Sequence, residues 1–164
     1  MSGEEHIISI LVSNRPGVLS RVAGVFGRQG YNIESLCVAE TLDPEVSRIT
    51  LVSHANSAFT EKIKKQLEKL VDVIEVTQLT EAQSIQREMI LIGLTLSPDV
   101  RHEIMRAIDL FGCKLVFIQS NHCILEAAGD KDTINTILNY LKPFGIAEIA
   151  RTGAIALGQK SAFH

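Results

Sequence analysis

Asn14-Arg15-Pro16-Gly17-Val18-Leu19 joins two patterns of different period. Before it, Ile7-Ile8-Ser9-Ile10-Leu11-Val12 is an apolar run of the length of a buried strand. After it, Val18 to Gln29 repeats at helical spacing, with Leu19, Val22, Ala23 and Phe26 as the core-facing stripe and Arg21, Arg28 and Gln29 off it. At the junction Pro16 fixes φ and Gly17 carries no Cβ, so another group can approach the backbone closely. The first N–H groups of a helix have no partners within it, and its dipole is positive at that end. Such a turn suits a small anion, for example the carboxylate of an amino acid. The same Asn, Pro and Gly would also make an ordinary strand-to-helix turn. Gly30 stops the helix, and Tyr31-Asn32-Ile33-Glu34 opens the next strand with a second amide side chain.

Further along, Ile33 to Thr41 reads as a strand, Leu42-Asp43-Pro44-Glu45 as a turn, and Arg48 to Val52 as the strand that completes a hairpin. Ser57 to Leu70 is helical, with Phe59, Ile63, Leu67 and Leu70 on one face, and Val73 to Leu79 alternates as a strand. This is βαββαβ. The polar stretch 80–86 reads as a linker, and the order then repeats. Met89 to Leu96 is a strand. Ser97-Pro98-Asp99 supplies an N-cap, a Pro at N1 and an acidic first turn. Val100, Ile104, Ile108 and Phe111 form a helix face ended by Gly112. Lys114 to Gln119 and Cys123 to Ala127 form a hairpin. Asp132 is placed as the cap of a helix carrying Ile134, Ile137, Leu138 and Leu141, and Ile146 to Leu157 is a last strand broken near Gly153.

The expected class is therefore α+β: two ferredoxin-like βαββαβ domains, spanning 1–79 and 87–164. Each sheet would carry helices on one face and leave the other bare. Units this small bury a modest core, so they are expected to pack on each other or on a second copy. In this topology the turns at the two ends of the first helix lie far apart. A site that uses both would need a neighbouring copy.

Composition removes several classes of function. The 164 residues carry a net charge of −3 at pH 7, which argues against an electrostatic nucleic-acid binder. The strands offer Ile, Leu and Val, not the stacking aromatics of an RNA-binding sheet. No apolar run approaches the roughly 20 residues of a membrane helix, and the polar start Met1-Ser2-Gly3-Glu4-Glu5-His6 is unlike a signal peptide. A cytoplasmic protein is expected. Cys37, Cys113 and Cys123 have no CxxC spacing and read as reduced structural thiols. His6, His54, His102, His122 and His164 are scattered, and no metal site is assigned. No nucleophile with a base and an orienting group is recognisable, nor a phosphate loop, so no catalytic residues are assigned.

Beyond these residues there is a resemblance. Asn14 to Leu19, Gly30-Tyr31-Asn32-Ile33-Glu34-Ser35-Leu36 and Ser47-Arg48-Ile49-Thr50 resemble the ACT regulatory domain. Together with Gln66 to Val73, Arg87-Glu88-Met89 and Ala150-Arg151-Thr152-Gly153, the chain is similar along its length to the small, regulatory subunits of acetohydroxyacid synthase (acetolactate synthase). The resemblance implies a non-catalytic subunit with a homodimeric ACT domain. Its partner would be a large catalytic subunit, and thiamine diphosphate, Mg and FAD would belong to that partner only. The small subunit would activate the large one and confer feedback inhibition by valine in branched-chain amino acid biosynthesis. Carried over residue by residue, the effector site is Asn14, Gly17, Val18 and Leu19 from one copy, with Asn32 and Ile33 from the other. Other classes stay open: a free-standing amino-acid sensor acting on another enzyme or on transcription, and, further off, an RNA-binding module or a small hydrolase.

Overall fold

In β1 (Glu4–Ser13) the side chains of Ile8, Ile10 and Val12 enter one buried cluster and that of Ile7 enters another, as the period of a strand requires. The computed structural model describes residues 4–160. Met1–Gly3 and residues 161–164, with His164 and the outer ends of both expected domains, lie outside the described residues. After β1 come α1 (Val18–Arg28), β2 (Ile33–Glu40), β3 (Val46–Ala55), α2 (Ser57–Glu68) and β4 (Val73–Leu79). The strands form an antiparallel sheet in the order β2-β3-β1-β4. Val18, Val22, Val25 and Phe26 of α1 and Ile63 and Leu67 of α2 close over Ile8, Ile10, Ile49 and Leu51.

The buried stripe of α1 is rotated from the one the sequence suggests. Val18, Val22, Val25 and Phe26 are buried, whereas Leu19 is 42% exposed. Positions i, i+4, i+7 and i+8 share a face. Counting from Val18 instead of Leu19 turns Leu19 to the flank. The far end of the helix is held by aromatics. Tyr31 meets Phe26 edge-on at 5.5 Å and stacks on Phe59 at 5.0 Å, and its hydroxyl lies 3.2 Å from Thr60 Oγ1.

The second unit contains β5 (Ser84–Thr95), α3 (Pro98–Phe111), β6 (Lys114–Ile118), β7 (His122–Gly129), α4 (Lys131–Leu141) and β8 (Ile146–Arg151), with strand order β6-β7-β5-β8. Ile90, Ile92, Leu94, Ile104, Ala107, Leu125, Ile134, Ile137 and Leu141 make its core. Ser97 precedes α3 and Pro98 stands in its first turn, but Ser97 makes no side-chain cap bond. The cap of α4 is Asp130, not Asp132: its carboxylate accepts from Thr133 N at 2.8 Å. Asp132 sits two residues further on, within the first turn, where its charge faces the positive helix end.

The two capped helices make a matched pair for a test. Asn56 Oδ1 caps α2 by accepting from Phe59 N at 2.8 Å. Asn56→Ala is expected to cost about 1 kcal/mol at any pH between 3 and 8, since the cap carries no charge. At Asp130, the bonds from Thr133 hold the carboxyl below its ordinary value. A carboxyl depressed in the folded state stabilises above its unfolded pKa, and that contribution is lost as pH falls through the folded pKa. The destabilisation by Asp130→Ala is therefore expected to be full at pH 7 and to shrink as pH falls below 3.8. Urea titrations of both variants across that range check the contrast.

The unit boundaries differ from those drawn on the sequence. One unit comprises residues 4–85 together with 154–160, and the other residues 86–153. The expected linker 80–86 holds a 3-10 turn at Glu81–Gln83 and the first residues of β5. The last strand is broken as expected: β8 ends at Arg151, Gly153 has φ 78, and β9 (Ile155–Gly158) follows. β9 belongs to the first unit. There Ala156 is buried with Ile7 and Val52, beside Leu79 and Ala154, and Gln159 N donates to Gln83 O at 2.8 Å. The apolar patch of Ile7 and Val52 is thus covered by the chain's own return.

Candidate functional site

The turn between β1 and α1 is tied down on both sides before the helix begins. Ser13 N donates to Asp72 O at 2.8 Å, and Asn14 N to Glu45 O at 2.7 Å. Gly17 is the N-cap residue of α1 with φ 86, a left-handed conformation that a residue with a Cβ adopts at a cost. With no side chain at the cap, no side-chain cap bond forms there. Val18 N reaches back to Arg15 O at 3.3 Å, a long bond that a stronger acceptor would displace.

Asn14 is exposed, and its Nδ2 donates to Glu40 Oε1 at 3.1 Å and to Pro44 O at 2.9 Å. With both amide hydrogens engaged, what the side chain offers a ligand is the acceptor Oδ1. The Val18 side chain is 3% exposed and belongs to the core, so only its backbone serves the turn. The half-exposed Leu19 stands at the surface beside it. The structure thus brings Asn14, Gly17, Val18 and Leu19 together. Asn32, exposed, and Ile33, half-buried against the core, follow the other end of α1. Eleven helical residues at about 1.5 Å each separate the two groups by roughly 16 Å. Within one chain they do not meet.

Two charged residues at this turn were not singled out from the sequence. Arg21, one turn into α1, points back toward the N-terminus, and its Nη1 lies 3.0 Å from where a Cβ on Gly17 would stand. Its Nε and Nη2 donate to Asp72 Oδ2 at 2.8 and 2.5 Å, so the guanidinium is oriented by a nearly buried carboxylate. Half of the Arg21 side chain stays exposed. Glu40 is the second, held against Asn14. The turn therefore carries a guanidinium over the glycine and a carboxylate beside the amide. Those are the two charges a zwitterion complements. The only signal for Arg21 in the sequence is its position four residues after Gly17, where a helical side chain covers the preceding turn.

The corresponding turn of the second unit is built differently. Ser97, the N-cap of α3, has φ −99 and an extended backbone, so nothing like the Gly17 cradle is present at that turn. Arg151 pairs in this unit with the buried Glu88 through Nε at 2.9 Å and through Nη2. That pair locks β8 to β5. Burial pushes the Cys113 and Cys123 thiols up, so they are poor nucleophiles. His6 is buried, its Nε2 2.9 Å from Ala55 O and its Nδ1 3.0 Å from Gln78 Nε2, a structural role.

Residues 8–75 match the family model described as the AHAS small subunit-like ACT domain, and residues 87–160 match the small subunit of acetolactate synthase. A probable acetolactate synthase small subunit from Archaeoglobus fulgidus is 40% identical over 153 residues, covering 93% of this chain and 96% of the relative. The acetolactate synthase small subunit of Mycobacterium bovis is 38% identical over 159 residues, covering 97% and 95%. Among solved structures, the acetolactate synthase small subunit from Thermotoga maritima superposes with a TM-score of 0.90 at 34% identity, over 97% of this chain and 99% of that one. Matched in both units and over nearly its whole length, the chain belongs to the acetolactate synthase small-subunit family.

Proposed function

We propose that this chain is the non-catalytic regulatory subunit of a cytoplasmic acetolactate synthase. It activates a large catalytic subunit that holds thiamine diphosphate, Mg and FAD, and it confers feedback inhibition by valine. The observation that carries the reading is the Gly17 turn. A left-handed glycine opens the helix N-terminus, with Arg21 over it and Asn14 and Glu40 beside it. The valine carboxylate takes the N–H groups of Gly17, Val18 and Leu19. The ammonium is held by Asn14 Oδ1. Leu19 lines the space for the branched side chain, and Asn32 and Ile33 from a second copy of the chain complete the cage. Binding across two chains couples the effector to the dimer, and a coupling of about 1–3 kcal/mol suffices to throttle the catalytic partner. One methylene in such a pocket is worth only about 1–3 kcal/mol, so leucine and isoleucine bind too, within one or two orders of magnitude of valine.

Calorimetric titration of the purified chain with the three branched amino acids, alongside its mass in solution, tests this. The expected result is a dimer binding one or two valines. A monomer indifferent to all three overturns it. Arg21→Gln removes the charge over Gly17, and Asn14→Ala removes the ammonium's acceptor. A hydrogen bond to a charged group contributes about 1.5–3 kcal/mol, so each variant is expected to weaken valine roughly 10- to 100-fold. Asp72→Asn, which frees Arg21 without removing it, should weaken valine less than Arg21→Gln does.

A further inference from the structure

Away from the Gly17 turn, three side chains far apart in sequence converge on the first unit's sheet. Glu5 of β1 and His54 of β3 are direct partners in the antiparallel register, so their side chains emerge on the same face. Between β2 and β3 the register shifts at Ile33/Ser35, and Glu34 is the extra residue of that irregularity. An inserted residue of this kind re-aims its side chain. Here Glu34 Oε2 comes within 3.1 Å of His54 Nδ1, while Glu5 Oε2 lies 3.8 Å from His54 Nε2. One donor atom from each of the three lies within 4.8 Å of the others.

We infer that Glu5, Glu34 and His54 form a binding site for a divalent transition-metal cation. One imidazole nitrogen and two carboxylate oxygens make the mixed N/O donor set that Zn2+ and Mn2+ accept. The three backbones are hydrogen-bonded neighbours in one sheet, so the ligands are held close together. The side chains are 39%, 32% and 38% exposed for His54, Glu5 and Glu34, so an ion enters freely and keeps water at its remaining positions. A bound ion would cross-link β1, β2 and β3 at the residue that follows Asn32 and Ile33. The site stands whether or not valine is the effector.

The untagged full-length chain, freed of metal with a chelator, is titrated with ZnCl2, MnCl2 and MgCl2 by calorimetry. Co2+ absorption then reports the donor atoms. The expected result is one Zn2+ or Mn2+ per chain, with Mg2+ weaker, a Co2+ spectrum of nitrogen and oxygen donors, and a raised melting temperature on loading. His54→Ala, Glu34→Gln and Glu5→Gln are each expected to weaken binding at least about tenfold, since even outer-shell partners cost that much. Circular dichroism checks that each variant is folded, and the two Gln variants decide the matter if His54→Ala is not. No binding, affinity unchanged in the Gln variants, or a thiolate charge-transfer band placing Co2+ on a cysteine would overturn the site and leave a plain surface ion pair.

Discussion

Gly17→Asp is expected to abolish valine binding and feedback inhibition while activation of the catalytic subunit persists. Three effects add at one position. A non-glycine residue at φ 86 costs roughly 1–2 kcal/mol, which a domain of ordinary stability tolerates. The new Cβ meets Arg21 Nη1 at 3.0 Å, but that atom is the end of a flexible, half-exposed side chain and can move aside. The new carboxylate then occupies the anion's place from within, ion-paired to the guanidinium that would have met the ligand. The chain stays folded and its site is filled by its own side chain. Calorimetry of the variant should show no heat with valine. Gly17→Ala, which adds bulk and strain without charge, should retain part of the affinity. Valine binding as tight in Gly17→Asp as in the parent would place the effector elsewhere.

Phe26→Ala is expected to remove about 3–5 kcal/mol from the first unit, the range for truncating a buried aromatic. Phe26 is fully buried and sits edge-on to Tyr31, itself stacked on Phe59. Removing the ring opens a cavity where α1 meets α2 and unseats the aromatic contacts that hold the α1–β2 turn. Against a typical total of about 5–15 kcal/mol, this leaves the first unit marginal. Urea unfolding followed by circular dichroism should show a first transition moved to low denaturant, with Phe26→Leu shifted far less. A midpoint within error of the parent would mean that the helix packs loosely there.

Much of this architecture is legible in the residues themselves. The period of Ile7 to Val12, the helical repeat of Ile63 and Leu67 and the helix stop at Gly112 report where elements run and which faces are apolar, and such signals are enough to place twelve elements in order. What lies across from an element is harder to read. Leu19 looks like core because it falls on a helical stripe, and only the packed sheet shows that the stripe starts at Val18. Arg21 looks like a solvated charge until Asp72, 51 positions later, fixes it over Gly17. Asp132 and Asp130 are equally good caps by composition, and the strand's end at Gly129 selects between them. His54, Glu34 and Glu5 share no motif, because strand register and a one-residue slip bring them together.

The return of β9 has a consequence for anyone dissecting the protein. The second unit is inserted into the first, so the chain enters and leaves it at two seams, 85/86 and 153/154. Cutting the gene at the first seam does not yield a finished front half: Ile7 and Val52 lose the Ala156 that shields them and face water together. A fragment meant to carry the Gly17 turn alone would therefore be sticky for a reason unrelated to ligand. The remedy is to replace 86–153 by a short loop that joins residue 85 to 154–160, a front half that keeps its own lid.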